Sequence, residues 1–380
     1  MKLQSKLPDL KLTIFSVMTQ LAIKHGAINL SQGFPDFDTY PELISLVEKY
    51  MRKGHNQYAP MQGVMMLRER IADKVLSMYG ARYDPATEIT ITSGATESIF
   101  AAISTVVQTG DEVVIFEPAY DAYAPVVQLN GGIPVFLQLK FPEYAIDWNG
   151  FENAVNSKTK LIILNYPHNP TGAVLTRKDI THLSRIVANT RAFIVSDEAY
   201  EHIIFDDRQH ESIAGHPQLA QRSFVICSFG KTYHTTGWKI GYCLAPKPLS
   251  SELQKIHQYL TFASNTPIQM AYAEFMQRKE LYLNLPGFYQ QKRDLFLDLI
   301  AESRFRPLPC KGTYYQMLDY SQISDKPDLD FARHLTTEHG VAAIPPSALY
   351  HQKDDYKVLR FCFAKKRATL EKAAEKLCQI

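Results

Sequence analysis

Short runs of β-branched and aromatic residues alternate with amphipathic helical stretches along most of this 380-residue chain. Such alternation is typical of α/β domains with a mostly parallel sheet. We therefore predict a large α/β domain built on a mixed, mostly parallel seven-stranded sheet. Its strands are read in EITITSG (88–94), EVVIFEP (112–118), IPVFLQL (133–139), KLIILNYP (160–167), AFIVSDEAY (192–200), SFVICSFG (223–230) and WKIGYCLAP (238–246).

Helical patterns connect these strands. The first strand is followed by TESIFAAISTVVQ and the fourth by TRKDITHLSRIVAN, in which Thr176 is suited to cap the helix. In an open sheet of this kind, ligands bind at the carboxyl ends of the strands. We therefore expect the functional residues at the positions where strands end.

The pattern changes near residue 281. We read LNLPGFYQQKRDLFLDLIAE as a helix, PLPCKGTYYQMLD as a strand, and KVLRFCFAKKRATLEKAAEKL as a strand that leads into a terminal helix. This predicts a large domain in residues 41–280 and a smaller α+β domain in residues 281–380. Residues 1–40 offer no strand to the large sheet, and we expect this N-terminal segment to pack with the small domain.

The charge and the cysteines disfavour several classes of protein. The formal net charge is only +2, and no five like charges follow one another, which argues against nucleic-acid partners. The five cysteines form no CxxC pair and suit reduced thiols in a cytoplasmic protein. The first twenty residues lack the pattern of a secretory signal, and no window approaches the ~18 apolar residues of a membrane helix. We expect a cytoplasmic protein without membrane partners.

Polar groups follow the first predicted strand. ITSGATES puts Ser93, Gly94, Ala95 and Thr96 where a strand turns into a helix. Backbone N–H groups and a hydroxyl at the positive end of a helix dipole make a suitable anion site. Taken alone, the motif is equally compatible with a plain helix cap.

Two further strands end in polar residues. The motif NYPHNPTG carries Asn165 and Asn169, which either close a loop or donate amide hydrogen bonds into a cleft. The motif SDEAY carries Asp197 and, three residues later, Tyr200. A carboxylate at such a position either caps a helix or holds a positive charge in a cleft.

The stretch SFGKTYHTTGWKIG admits three interpretations. A phosphate-binding loop, G-x-x-x-x-G-K-[ST], needs a glycine five residues before Gly230, where Val225 stands. A P-loop nucleotide-binding protein is thus an alternative that the motif does not support. A surface turn conflicts with the apolar residues on both sides. A buried lysine, Lys231, with a lowered pKa would be an effective nucleophile toward carbonyls.

Taken together, these strand-end groups point to one type of cofactor. Pyridoxal phosphate needs a lysine for its aldehyde, an anion site for its phosphate and an acid partner for its pyridinium nitrogen. The predicted strand ends offer all three.

The motifs also carry a family resemblance. SGATES, NYPHNPTG, SDEAY, SFGKTYHTTGWKIG and VLRFCFA occur in the order and rough spacing of the fold-type I pyridoxal-phosphate enzymes and resemble the class I aminotransferases. Within that class the chain most resembles the kynurenine and methionine aminotransferase branch, in which cysteine-conjugate β-lyase activity is also found. With NLSQGFPDF near the start, the resemblance spans nearly the whole chain.

The resemblance implies roles for four residues around the cofactor ring. Lys231 would form the Schiff base with the cofactor and then shuttle the proton of a ping-pong aldimine/ketimine mechanism. Asp197 would keep the pyridine nitrogen protonated. Asn169 and Tyr200 would hydrogen-bond the phenolic oxygen of the ring.

It also implies a phosphate site and a dimer. The phosphate would bind the N–H groups of residues 94–96, the Ser228 hydroxyl and Lys239, where many relatives carry arginine. Tyr120 matches the aromatic residue that stacks on the ring. Tyr58 matches a tyrosine that reaches the phosphate of the neighbouring subunit, which would make the protein a homodimer with shared active sites.

The substrate would be an amino acid. Arg360 matches the arginine that clamps the α-carboxylate, with help from Gly33 and Asn169. Aromatic residues such as Phe15 and Tyr123, with Phe34, favour a large neutral or aromatic donor, methionine foremost, and the acceptor would be a 2-oxo acid. Cysteine-S-conjugate β-lyase activity at the same site is the alternative.

A metal site is not predicted. In HLTTEH (334–339), His334 and Glu338 are four residues apart, but the H-E-x-x-H order is missing and a solvated helix face is favoured.

Overall fold

The computed structural model describes residues 4–8 and 10–380. The strands are β1 Ile28–Asn29, β2 Ile89–Thr92, β3 Glu112–Glu117, β4 Ile133–Gln138, β5 Thr159–Asn165, β6 Phe193–Asp197, β7 Ser223–Ser228, β8 Gly241–Leu244, β9 Arg306–Pro307, β10 Tyr315–Asp319, β11 Val341–Ala342 and β12 Val358–Cys362. The helices are α1 Ile14–His25, α2 Pro41–Arg52, α3 Met65–Tyr79, α4 Ala95–Val106, α5 Tyr123–Leu129, α6 Trp148–Ala154, α7 Arg177–Ala188, α8 Pro217–Ala220, α9 Phe229–Thr232, α10 Lys247–Leu260, α11 Thr266–Phe275, α12 Glu280–Leu283, α13 Leu285–Leu299, α14 Asp328–Glu338 and α15 Arg367–Leu377. Three short 3₁₀ helices in the described residues span Ile213–Gly215, Thr236–Trp238 and Pro346–Leu349. No helix within these described ranges is long and apolar enough to cross a membrane.

The large sheet has seven strands in the order β2-β8-β7-β6-β5-β3-β4. Only β8 runs antiparallel to its neighbours, β2 and β7. Alternate residues of β3 face opposite layers: Val113 and Ile115 belong to one buried cluster, whereas Val114 and Phe116 belong to another. This confirms the predicted mixed, mostly parallel seven-stranded sheet with helices on both faces.

The topology brings four chain segments to one edge of this sheet. Strands β5, β6 and β7 are parallel and end at Asn165, Asp197 and Ser228. Strand β2 pairs with the other side of β8, so that Thr92 and Ser228 both lie opposite Gly241. The start of α4, the ends of β5 and β6, and the turn after β7 therefore meet at this edge.

A close approach fixes α4 against β8. A Cβ atom on Gly241 would lie 2.8 Å from the backbone nitrogen of Ala95 and 2.7 Å from the carbonyl oxygen of Cys227. Both neighbours are backbone atoms, which cannot rotate away as a side chain can. Only glycine therefore allows the first turn of α4 to sit beside the end of β7.

A second group of elements follows α12. Strands β12, β10 and β9 form an antiparallel sheet in that order, and α13, α14 and α15 contribute to its buried cluster. Strand β1 pairs in parallel with β11, and α1 packs against α14, so the N-terminal segment contacts this second group. Residues 1–3 and 9 of that segment lie outside the described residues. The domain boundaries at residues 40 and 280 stay predictions.

One local detail agrees with the sequence analysis and another differs from it. Thr176 caps α7 as predicted, in a reciprocal capping box with Asp179. The last strand of the large sheet is shorter than predicted, because residues 236–238 form a 3₁₀ helix and Lys239 adopts a left-handed conformation with φ 54°. The extended backbone therefore begins only at Gly241.

Candidate active site

A cavity of about 370 Å³ opens at the carboxyl edge of the large sheet, against the small antiparallel sheet. Every predicted site residue except Tyr58 lines it. These residues are Gly33, Gly94, Ala95, Thr96, Tyr120, Asn169, Asp197, Tyr200, Ser228, Lys231, Lys239 and Arg360. Residues separated by more than 300 positions in the chain thus face one space.

One end of the cavity is suited to an anion. Gly94 caps α4 with φ 81°, and the helix that follows it is twelve residues long. A Cβ on Gly94 would lie 3.4 Å from the Nζ atom of Lys239, so the ammonium group stands beside the helix start. The helix dipole and this cation attract negative charge to the same point.

Tyr120 forms part of the cavity wall near this end. Burial raises the pKa of Tyr120 to about 12, and a hydrogen bond with Thr96 opposes the rise. The phenol therefore stays neutral at physiological pH. Its ring packs edge-on against Tyr123, with 5.6 Å between the ring centroids.

A buried carboxylate lies at the end of β6. The Tyr123 hydroxyl donates to Oδ2 of Asp197 at 2.6 Å, and the Ala199 N–H donates to Oδ1 at 3.1 Å. Burial raises the pKa of this carboxyl, while the hydrogen bonds from Tyr123 and Ala199 and the Lys231 charge oppose the rise. Tyr123 was expected beside the substrate, but it lies behind Asp197 and orients the carboxylate instead.

The loop after β5 is tied to this carboxylate strand. The Asn165 side-chain amide donates to the Asp197 carbonyl at 3.0 Å. Its oxygen accepts the Asn169 N–H, also at 3.0 Å. Asn165 therefore fixes the position of Asn169, whose own side chain is left free to face the cavity and Arg360.

The lysine of the SFGKTYHTTGWKIG stretch lies in α9, directly after β7. Its Nζ atom donates to the Tyr314 hydroxyl at 2.7 Å and to the Gly33 carbonyl at 3.0 Å. Burial lowers the pKa of Lys231 to about 8. At pH 7 roughly one amine in ten is then neutral, against about one in three thousand for an unperturbed lysine. The amine is thus primed to attack a carbonyl carbon.

Arg360 occupies the centre of β12 and is 1 % exposed. Its Nη1 donates to Oδ1 of Asn169 at 2.7 Å and its Nη2 to the Ser31 carbonyl at 2.8 Å. Within the described residues, no carboxylate lies within ion-pair distance of the guanidinium, and the buried Nε has no hydrogen-bond partner. A buried cation without a counter-charge is costly, so this arrangement favours a bound anion such as a carboxylate.

Gly33 is required by close packing. A Cβ at this position would lie 1.8 Å from the hydroxyl oxygen of Tyr315. Its carbonyl oxygen accepts hydrogen bonds from Lys231 and, at 2.5 Å, from Tyr314. The N-terminal segment therefore forms one wall of the cavity and contacts the lysine directly.

Tyr58 lies away from this cavity. Its side chain is 84 % exposed and packs edge-on against Phe262, beside a separate surface depression next to Met51. Within one chain, Tyr58 therefore does not reach the predicted phosphate-binding residues.

Several residues of the site escaped the sequence analysis. Tyr314 and Tyr315 contact Lys231, Arg360 and Tyr200, and Ser31 receives an Arg360 hydrogen bond. Two adjacent tyrosines at the start of a strand are common in protein cores, so the run KGTYYQMLD carries no signal that marks them as functional. Tyr315 reaches Arg360 through the pairing of β10 with β12, whereas Tyr314 precedes β10 and reaches Lys231 through tertiary packing.

The fold and the site together define the class of protein. A lysine with a lowered pKa, a helix start beside an ammonium group, and a buried carboxylate all line one cavity of a seven-stranded α/β sheet. These groups fit the aldehyde, phosphate and pyridinium nitrogen of pyridoxal phosphate. The fold and the site therefore match those expected of a fold-type I pyridoxal-phosphate enzyme.

Comparison with known proteins narrows the class to a family. The family model for aminotransferase class I and II matches residues 25–377. The chain belongs to this family and is a pyridoxal-phosphate-dependent aminotransferase, for which a ping-pong mechanism is general.

Individual relatives cover the whole chain. It is 50% identical over 378 residues to a methionine aminotransferase of Escherichia coli strain K12, covering 99% of this chain and 98% of the relative. It is 35% identical over 409 residues to a kynurenine–oxoglutarate transaminase of Dictyostelium discoideum, covering 97% and 94%. The crystal structure of YbdL from Escherichia coli, for which a methionine aminotransferase function was identified, superposes with a TM-score of 0.98 at 49% identity and covers 100% of both chains.

Within the part of the chain that the structure describes, no group of three or more potential metal ligands is found. His334 and Glu338 both lie on α14.

Proposed function

We propose that this aminotransferase moves the amino group of a large neutral or aromatic L-amino acid, methionine foremost, to a 2-oxo acid. The proposal rests on the small number of cationic side chains that line the cavity. Among the described residues that line it, the cations are Lys231, Lys239 and Arg360. Each is needed by the cofactor or by the α-carboxylate, so this chain offers no further cation to a side-chain carboxylate.

The apolar wall of the cavity supports the same preference. Phe15, Phe34 and Ile99 line it, and the Arg360 guanidinium lies 5.0 Å from the centroid of the Phe15 ring. A thioether or aromatic side chain loses little on leaving water for such surroundings, whereas a carboxylate loses its hydration. The names of two close relatives point to methionine as well.

The mechanism assigns the proton transfers to Lys231. Pyridoxal phosphate, when bound, supplies an electron sink that stabilises the charge left on the substrate Cα. Lys231 would hold the cofactor through its Nζ atom. Once a substrate amine takes its place, the free Lys231 amine would accept the proton of the substrate Cα and later release it, because a pKa near the working pH suits both roles.

Four groups hold the ring in the proposed mechanism. Asp197 would pair with the pyridinium nitrogen and keep it protonated, and Tyr123 keeps the carboxylate oriented. Asn169 and Tyr200 would donate to the phenolic oxygen, and Tyr120 would contact the ring.

The anion end would hold the phosphate. The N–H groups of residues 94–96 and the Ser228 hydroxyl would donate to its oxygens, and Lys239 would supply a point charge rather than the two-pronged contact of an arginine. Arg360 binds the substrate α-carboxylate, with Gly33 and Asn169 beside it.

Donor specificity tests this proposal. With the cofactor-loaded protein, methionine and phenylalanine are expected to convert the visible absorption band to the pyridoxamine form with kcat/KM at least about 100-fold above that of aspartate. An unpaired buried carboxylate costs several kcal/mol, and each 1.4 kcal/mol is tenfold. Equal use of aspartate would contradict the proposal. Release of ammonia and pyruvate from a cysteine conjugate, without amino transfer from methionine, would favour the β-lyase alternative.

We further propose that the enzyme is a homodimer in which Tyr58 of each subunit reaches the phosphate of the other. The exposed side chain of Tyr58 packs against the exposed Phe262 and lies beside the exposed Met51. An exposed apolar patch of this kind is typical of a protein contact surface.

Mixing two defective variants tests the shared site. Tyr58→Ala and Lys231→Ala are each expected to give weakly active or inactive dimers, since each lacks one component of both sites. Coexpression is expected to restore roughly a quarter of the wild-type activity, because half of random pairs are mixed and each has one complete site. Analytical ultracentrifugation measures the oligomeric state. A monomer, or mixtures no more active than the separate variants, would refute the shared site.

We also propose a cytoplasmic location. All five cysteines are free thiols in the described residues, and four are buried. Reduced cysteines are usual in the cytoplasm.

A further inference from the structure

Tyr315 contacts two residues of the site, Arg360 and Tyr200. It lies on β10, where Tyr315 is paired with Cys362 and Met317 with Arg360. Tyr315 and Arg360 are therefore diagonal neighbours on one face of the small sheet. The guanidinium carbon of Arg360 lies 3.9 Å from the centroid of the Tyr315 ring, which is a close cation–π contact in a buried setting.

The hydroxyl at the other end of this side chain meets Tyr200. The two hydroxyl oxygens are 3.0 Å apart, and both side chains are buried. Gly33 packs directly against the Tyr315 hydroxyl, where even a single methyl group would overlap it. The hydroxyl therefore has one defined position.

Each phenol carries one proton, so only one of the two can donate along this contact. Burial raises the pKa of both phenols, and both stay protonated at physiological pH. If Tyr315 donates, the Tyr200 proton is free to point into the cavity. If Tyr200 donates, its proton is unavailable to any group bound there.

We propose that Tyr315 is a positioning residue: its hydroxyl donates to Tyr200, which aims the Tyr200 proton at the bound cofactor, while its ring supports Arg360. The inference rests on the proposed contact of Tyr200 with the phenolic oxygen of the cofactor. A donor chain strengthens each of its hydrogen bonds, because the accepting hydroxyl becomes a better donor. Tyr315 thus links the cofactor subsite to the carboxylate subsite.

Removal of the hydroxyl alone tests the link. In Tyr315→Phe the ring over Arg360 is kept, so KM for methionine is expected to stay within about twofold. Tyr200 becomes a weaker donor to the phenolic oxygen, which stabilises the protonated form of the lysine-bound chromophore. The pKa read from the visible absorption of the holoenzyme is expected to rise by about 0.5 to 1, the equivalent of one neutral hydrogen bond.

A double-variant comparison shows whether Tyr315 acts through Tyr200. Tyr200→Phe is expected to raise the same absorption pKa at least as much, and adding Tyr315→Phe to it should produce no further change. The matched control is Tyr320→Phe, which removes another buried hydroxyl of the same fold unit, bonded to the Lys326 carbonyl at 2.9 Å. The control should leave the absorption pKa unchanged.

The ring is tested separately. Tyr315→Leu removes both contacts and is expected to raise KM for methionine by about tenfold in addition to the spectral change, because a desolvated cation–π contact is lost. Thermal unfolding of each variant shows whether it is folded.

The outcomes separate this inference from the proposed function. An unchanged absorption pKa in a folded, active Tyr315→Phe enzyme overturns the positioning role and leaves the transaminase proposal intact. Additive shifts in the double variant overturn the route through Tyr200. A wild-type protein that gains no visible band with pyridoxal phosphate overturns the proposed function itself.

Discussion

Replacement of Lys231 by alanine is expected to lower the transamination rate by about 10⁴-fold or more, the upper end of what a positioned acid–base group contributes. The variant would lose both the proposed covalent anchor of the cofactor and the amine proposed to move the Cα proton. No neighbour replaces it, because Lys239 is held at the anion end beside Gly94. The measurement is single-turnover absorbance with methionine.

Borohydride reduction gives an independent readout of the same residue. In the wild type, reduction followed by mass spectrometry should place the pyridoxyl group on the peptide that contains Lys231, and in the variant no lysine should carry it. Lys255→Ala is the matched control, since Lys255 is exposed and pairs with Glu252 on the same helix. Full turnover in Lys231→Ala, or labelling of another lysine in the wild type, would show that the site has been misassigned.

Substitution of Arg360 by lysine is expected to reduce kcat/KM for methionine by about 10² to 10⁴-fold. Lysine keeps the charge but not the fork that makes two parallel hydrogen bonds to a carboxylate. Hydrogen bonds to charged groups are worth about 1.5 to 3 kcal/mol each, and each 1.4 kcal/mol is tenfold. The loss should appear mainly in KM, because the proposed contact of Arg360 with the carboxylate would be made in both the ground state and the transition state.

A substrate without a carboxylate separates this effect from a general disturbance. The amine that carries the methionine side chain but no carboxylate should react poorly with the wild type and about equally poorly with Arg360→Lys. Arg367→Lys is the matched control, because Arg367 is exposed and pairs with Glu371 on the same helix. If the variant lost activity equally toward the acid and the amine, the carboxylate role would be wrong.

The architecture of the large sheet was predictable from local pattern. Each of its strands is a run of apolar residues that ends in turn-forming residues, and all seven were located within a few positions. Strand β8 begins later than predicted, because Lys239 adopts a left-handed conformation between the 3₁₀ helix and Gly241. A lysine in that conformation leaves no periodic trace in the sequence.

The predicted cavity residues were reached by two routes. The strand-end chemistry indicated Gly94, Asp197 and Lys231 before any resemblance was considered. The resemblance added Arg360 and Tyr58, and the structure brings only the first of these to the cavity of its own chain. The proposed role of Tyr58 depends on contacts between subunits, which the packing of one chain does not determine.

The sequence by itself determined the strand ends, and with them the positions of Lys231, Gly94 and Asp197. Those features depend on short-range periodicity and on the rule that parallel strands end at one edge. Only the tertiary structure decided what each group contacts. Tyr123 lies behind Asp197, Gly33 touches Lys231, and Tyr315 links Tyr200 to Arg360 because strand register and close packing join segments far apart in the chain. Hydrogen bonds are short and directional, so their partners follow from that register and not from local pattern.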